Sequence, residues 1–173
     1  MNVRRATRAD VPELARVHTE SARAAYAGIA PLEEDGLARR TANWLSVFDD
    51  AVGSPHVAEV DGHVIGILNF GPAREQVEVG ELYVLYVLPY YWGSGAAQLL
   101  IDTAHRGLSH AHREAVLSVL ADNPRARRFY ERNRWQLDEV RVEPHFGGVP
   151  TEIARYRKAL SAAGADRNAS NLV

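Results

Sequence analysis

The chain has 173 residues, 46% of them apolar and 24% charged, with 20 Lys and Arg against 22 Asp and Glu for a formal net charge of −2. This is enough chain for one globular domain with a real core, and the charge balance gives no global argument for nucleic acid or for an anionic membrane surface. The absence of cysteine excludes disulfides, thiolate nucleophiles and cysteine-based zinc sites.

Val3–Ala6 reads as a short first strand. Thr7 or Asp10 can cap the helix that follows, and Glu13 stands three residues after Asp10, at capping-box spacing. Val11, Leu14, Ala15, His18, Ala22 and Ala25 recur at helical spacing, and Gly28 marks that helix's end. Pro31 opens a second segment, where Leu37, Thr41, Trp44, Leu45 and Phe48 predict a helix over 32–48. Two apolar runs, 56–60 and 63–70, flank Asp61-Gly62, a strong hairpin signal. Residues 81–88 are almost continuously apolar, as a strand buried on both faces would be, and Pro89 stops them.

Gly93-Ser94-Gly95 then leads into a helix over 96–108, followed by a strand over 115–120. Asn123-Pro124 supplies an N-cap and a first-turn proline for a short helix carrying Ala126, Phe129 and Tyr130. Two more strands are expected near 135–142 and 152–157. The order predicts a mixed α/β single domain over residues 1–160, with a small polar tail over 161–173. No apolar stretch approaches the roughly 20 residues that cross a bilayer. Met1-Asn2-Val3-Arg4-Arg5 lacks the apolar run of a signal peptide, so a cytoplasmic, membrane-free protein is expected.

Chemistry concentrates at the strand–helix junction of residues 87–99. A helix N-terminus presents unpaired N–H groups and about half a positive charge, and glycines let a bound anion approach the backbone. Gly93 and Gly95 fit that description, and they equally fit a tight turn without a ligand. No Lys-Ser/Thr follows as in a P-loop, and a third glycine of the dinucleotide fingerprint is missing.

Context narrows the reading. Val87-Leu88-Pro89-Tyr90-Tyr91-Trp92-Gly93-Ser94-Gly95-Ala96-Ala97-Gln98-Leu99-Leu100 resembles the acyl-CoA-binding segment of the GNAT superfamily. Leu117-Ser118-Val119, then Asn123, Ala126, Phe129, Tyr130 and Glu131, resemble that family's second signature, in the same order and at its usual separation. The resemblance covers about residues 3–158. It implies a mostly antiparallel sheet of about seven strands, helices on both faces, and a splayed parallel pair at 81–88 and 115–120.

It further implies acetyl-CoA as cosubstrate, an amine-bearing acceptor (small molecule or protein), direct attack in a ternary complex, and no metal. The backbone of Leu85, Tyr86 and Val87 would bond the pantetheine amides and the acetyl carbonyl. The amides of Gly93, Ser94, Gly95, Ala96, Ala97 and Gln98 would hold the pyrophosphate, and Asn123 would touch pantetheine. Tyr130 would protonate the leaving thiolate, as a phenol with a reference pKa near 10 can. Glu81 is the candidate general base. Homodimers are common in the family, and no feature of this sequence decides that point.

Each residue has a plainer reading beside its functional one. Asn123 is a good N-cap whether or not CoA binds, Tyr130 can be a core aromatic, and Glu81 can be a solvated strand-end carboxylate. Three positions depart from the family pattern. Trp92 stands where Arg or Gln is usual, Ala97 replaces a glycine, and Arg134 stands where a glycine often takes positive φ. Trp92 and Arg134 motivate the alternative function, a non-catalytic acyl-CoA-binding or interaction module. His105, His110 and His112 show no metal spacing and read as surface residues, and His145 is a candidate for the acceptor pocket's edge. Tyr26 and Tyr83 are candidates for that pocket's lining, Trp44 reads as core, and residues 26–37 form a loop expected to cover the acceptor.

Overall fold

The computed structural model describes residues 1–29, 36–145 and 148–161. In chain order the elements are β1 (Asn2–Arg5), a 3-10 turn (Arg8–Asp10), α1 (Val11–Ala25), α2 (Gly36–Asp49), β2 (His56–Val60), β3 (His63–Pro72) and β4 (Gly80–Val87). A second 3-10 turn (Pro89–Tyr91) leads to α3 (Ala96–Ser109), β5 (Glu114–Leu120), α4 (Pro124–Arg132), β6 (Gln136–His145) and β7 (Val149–Ala159). The start of the helix expected over 32–48, half of the expected covering loop, and the polar tail beyond Ser161 lie outside the described residues.

Seven strands form one sheet in the order β1-β2-β3-β4-β5-β7-β6. Every neighbouring pair is antiparallel except β4 and β5, which run parallel. The two faces carry separate cores. Leu100, Ile101, Ala104 and Leu108 of α3 pack with Leu117, Trp135 and Tyr156 on one face. Leu14 and Val17 of α1 pack with Trp44 of α2, Val57 and Ile67 on the other. Burial of each Leu, Ile or Val side chain among them contributes about 1.5–3 kcal/mol. At the N-terminus, the cap partner differs from the expected one. Asp10 Oδ2 accepts the Thr7 N–H at 2.7 Å, while Glu13 pairs with Arg16 at 2.8 Å.

One irregularity prepares the site. The β3–β4 register passes from Asn69↔Val84 to Phe70↔Leu82, so Tyr83 is an extra residue on β4. A bulge bends its strand and raises the local twist. Parallel pairing with β5 covers only Gly80–Leu82 against Ala115–Leu117, and beyond it the two strands part. The bulge also shifts which residues face which core. Leu82, Leu85 and Val87 belong to the α3 side, whereas Val84, Tyr86 and Leu88 pack on the α1 side.

Candidate active site

The splay opens into a cavity of about 370 Å³, lined from both faces of the sheet. Its wall on β4 is main chain. The Leu88 N–H donates to the Ile65 carbonyl at 2.9 Å, and the antiparallel pattern alternates along the strand. Tyr86, opposite Ile67, therefore also turns its peptide groups toward β3, and those of Leu85 and Val87 face the splay. Of the three residues expected to present backbone here, two do so and Tyr86 does not.

At the cavity's α3 end, Gly93 has φ +82° and Gly95 φ +90°, conformations that side chains rarely adopt. A Cβ on either would meet nothing within 4 Å, so the glycines answer to backbone conformation and leave open space above it. The Leu99 N–H reaches back to the Gly95 carbonyl at 3.1 Å, and the Ala96 N–H donates to Ser94 Oγ at 3.3 Å. Ala97 and Gln98, both at the cavity, are left without carbonyl partners in the helix, as first-turn amides are. This cradle suits a diphosphate.

From α4 come Asn123 and Tyr130. Asn123 is 7% exposed, and its Oδ1 accepts the Ala126 N–H at 3.1 Å, so it caps α4 and lines the cavity at once. Tyr130 is buried between Trp135 and Tyr156, each ring centroid 6.4 Å away, with the cavity on its open side. Burial raises its phenol pKa, which keeps it a proton donor across the neutral range. Tyr156 fixes α4 to β7 by accepting from Arg127 Nε at 2.9 Å and donating to Glu131 at 2.7 Å.

Two residues shape the cavity mouth in ways that no motif signals. The Trp92 indole N–H donates to the Val87 carbonyl at 2.8 Å, and the Arg125 guanidinium stacks 3.0 Å from the centre of the indole ring. Trp92 therefore lies over the strand edge as a cation–π pair, and Arg125 and Arg132 bring positive charge to the cavity. Arg134 takes φ +62°, as its place in the pattern led us to expect.

On the opposite face, Ser21 and Ala25 of α1 and Tyr86 of β4 line the cavity. The Tyr86 hydroxyl forms a short hydrogen bond with that of Tyr26, and the His18 ring lies 4.9 Å from the Tyr86 ring. Burial, then the charges of Arg40 and Arg39, depresses the His18 pKa to about 3, so the imidazole is neutral.

Glu81 does not line the cavity. It sits where β4 is still flanked by Gly71 of β3 and Val116 of β5, and its Oε2 accepts the Arg74 N–H at 3.4 Å. Tyr83 points elsewhere, donating to the Pro72 carbonyl, and Trp44 is core, 3% exposed. His105 is not the surface residue its spacing led us to expect. Its Nε2 accepts the Trp135 indole N–H at 3.1 Å, and burial lowers its pKa to about 4. The His145 side chain lies outside the described residues. Among the described residues, no cluster of three His, Asp or Glu could hold a metal, and no helix is long and apolar enough to cross a membrane.

Comparison with known proteins fits this geometry. Residues 14–134 match the Acetyltransferase (GNAT) family. An uncharacterized N-acetyltransferase of Archaeoglobus fulgidus is 35% identical over 141 residues, which span 75% of this chain and 89% of that protein. Among solved structures, an N-acetyltransferase of Staphylococcus aureus superposes with TM-score 0.75 at 17% identity, covering 92% of this chain and 98% of the other. YncA of Salmonella typhimurium, solved with its cofactor acetyl-CoA, superposes with TM-score 0.73 at 18% identity, covering 93% and 94%.

Proposed function

The chain belongs to the GNAT acetyltransferase family, and on that footing we propose that it transfers an acetyl group from acetyl-CoA to a primary amine by direct attack in a ternary complex. The observation that carries this reading is the cavity at the splay, lined from both faces of the sheet. One side offers a strand edge that β5 no longer pairs and a helix N-terminus, and the other a separate polar wall. That Salmonella YncA was solved with acetyl-CoA supports the choice of donor.

In this reading the peptide groups of Leu85 and Val87 pair with the pantetheine arm as an added strand would. The amides from Gly93 to Gln98 hold the diphosphate, and Asn123 donates its Nδ2 to the arm while Oδ1 caps α4. The amine attacks the acetyl carbonyl carbon. Charge that develops on the carbonyl oxygen is held by a peptide N–H on the β4 edge. Collapse breaks the C–S bond, and Tyr130 passes its phenolic proton to the thiolate sulfur. The surplus amine proton goes to Glu81 through water, because the carboxylate stands back from the cavity. No covalent enzyme intermediate is needed.

A second reading, an acyl-CoA-binding module without turnover, draws on one observation. The Trp92 indole already holds the Val87 carbonyl on the edge that pantetheine would use. Calorimetric titration with acetyl-CoA, then assay of free CoA across an amine panel, separates the two. Binding with CoA release is the expected result. Binding without release from any amine favours the module, and absence of binding overturns both.

A further inference from the structure

Ser21 lines the cavity on the α1 face, is 1% exposed, and its Oγ has no hydrogen-bond partner. Helical hydroxyls ordinarily avoid this state by bonding back to the carbonyl four residues earlier. Thr19, Thr41 and Thr103 do so, donating to Ala15, Leu37 and Leu99 at 2.7, 2.9 and 2.8 Å. Ser21 does not, although it shares α1 with Thr19. A buried hydroxyl without a partner destabilises the fold, so its position asks for a ligand atom.

The surroundings say which kind. Beside Ser21 the cavity wall is Ala25 and Tyr86, and the Tyr86 hydroxyl is tied to Tyr26. Behind Tyr86 lies the neutral His18 ring. Among the described residues the cavity lining includes no Asp or Glu, and its two arginines, Arg125 and Arg132, come from α4 and the face that receives CoA. Among the described residues, the α1 side of the lining thus presents hydroxyls and no charged side chain, with the charges of Arg40 and Arg39 felt at His18 behind it. Among the described lining residues it offers no carboxylate for the second charge of a diamine, which the nearby charges of Arg40 and Arg39 further disfavour.

Resting on the acetyltransferase reading, we propose that Ser21, with the Tyr26–Tyr86 hydroxyl pair, forms the acceptor subsite, and that the acceptor is a small primary amine whose other end is a neutral hydrogen-bonding group, a hydroxyl or an amide. Ser21 takes that group as the partner it lacks. The amine is thereby aimed through the splay at the acetyl carbon. A site built around a hydroxyl discriminates strongly, because an analogue lacking the group leaves buried polar atoms unpaired.

The test uses the full chain and saturating acetyl-CoA, with three acceptors of similar length: 2-aminoethanol, propylamine and 1,3-diaminopropane. We expect kcat/KM for 2-aminoethanol to exceed that of either other amine by about tenfold or more. Ser21→Ala should bring the 2-aminoethanol to propylamine ratio within about twofold of one, the loss falling on KM for the amine, while the acetyl-CoA Kd changes by less than about twofold. Its Tm should hold or rise, because the substitution removes an unpaired hydroxyl. A merely structural serine would lower Tm and leave the ratio alone. Tyr86→Phe, which keeps the ring against His18, should reduce the same ratio. Turnover with a ratio that neither variant moves, or with the diamine preferred, overturns the subsite and leaves acetyl transfer standing. No CoA release from any amine in a wider panel overturns the acetyltransferase reading and the subsite with it.

Discussion

The two mouths of the cavity are made of different material. The α3 mouth is built from main chain, namely the peptide groups of Leu85 and Val87 and the first-turn amides behind Gly93 and Gly95. The α1 mouth is built from side-chain hydroxyls, those of Ser21 and of Tyr86, the latter bonded to Tyr26. Main-chain sites demand particular residues for conformational reasons, and those demands repeat wherever the same ligand is bound. Side-chain sites answer to one substrate, and any small polar residue on a core-facing position can take part. On the proposed function, the first mouth reports the reaction class, and the second reports what the class cannot, the acceptor.

The largest expected effect tests the joint between the mouths. Tyr130→Phe should keep acetyl-CoA affinity and lower kcat by on the order of 10²–10⁴, because the ring's packing survives while the proton donor is lost. A kcat within about twofold of the parent would remove Tyr130 from the chemistry and leave it a core aromatic.

Acid should weaken the protein from both sides. His18 of α1 and His105 of α3 have folded-state pKa values of about 3 and about 4, below the ordinary 6.5. Between those values and 6.5 the unfolded chain binds protons that the folded chain refuses, so stability is full above about pH 6.5 and falls as pH drops. At pH 4.5 the loss is on the order of 2–3 kcal/mol for each imidazole, followed as Tm or denaturant midpoint against pH. His105→Gln, which keeps an acceptor for the Trp135 indole, should flatten its share of the acid limb. An unchanged limb would mean that the imidazole protonates without cost in the fold.

Gly95→Ala probes the main-chain mouth alone. At φ +90° a Cβ meets open space but the backbone is strained by roughly 1–2 kcal/mol. If the strain relaxes by shifting the first turn of α3, acetyl-CoA Kd should rise by about tenfold with the amine preference unchanged. A changed amine preference would show that the two mouths are not separable.

What the sequence disclosed follows the same division. Pro89, Gly93, Gly95 and Asn123 were legible because turn, left-handed and capping conformations restrict residue type. The Asp61-Gly62 hairpin and the doubly buried β4 were legible from pattern. The bulge at Tyr83 was not, since an extra residue in a continuous apolar run shows only when two strands are registered against each other. Nor was the partnership of His105 with Trp135, thirty residues apart, which turns a histidine of unremarkable spacing into a half-buried acceptor. Trp92 was visible as a departure, but its hold on Val87 and its stacking on Arg125 are tertiary facts. Ser21 carried no signal at all, for an unpaired hydroxyl is defined by what fails to surround it.

The smallest effect belongs to a residue outside both mouths, and it serves as their control. Arg134 is exposed and holds φ +62° at the turn between α4 and β6, where its N–H donates to the Glu131 carbonyl at 3.0 Å. Glycine keeps that bond and removes the clash of Cβ with the backbone, worth about 1–2 kcal/mol, while its freer unfolded chain returns about 0.5–1 kcal/mol. Arg134→Gly should thus stabilise by roughly 0.5–1 kcal/mol, a rise of a few degrees in Tm. Trp135, the next residue, packs against Tyr130, so a turn under strain could in principle misplace the phenol. The variant's kcat decides it: an unchanged value means the strain is local to the turn, and a raised one means that the departure at Arg134 reaches Tyr130.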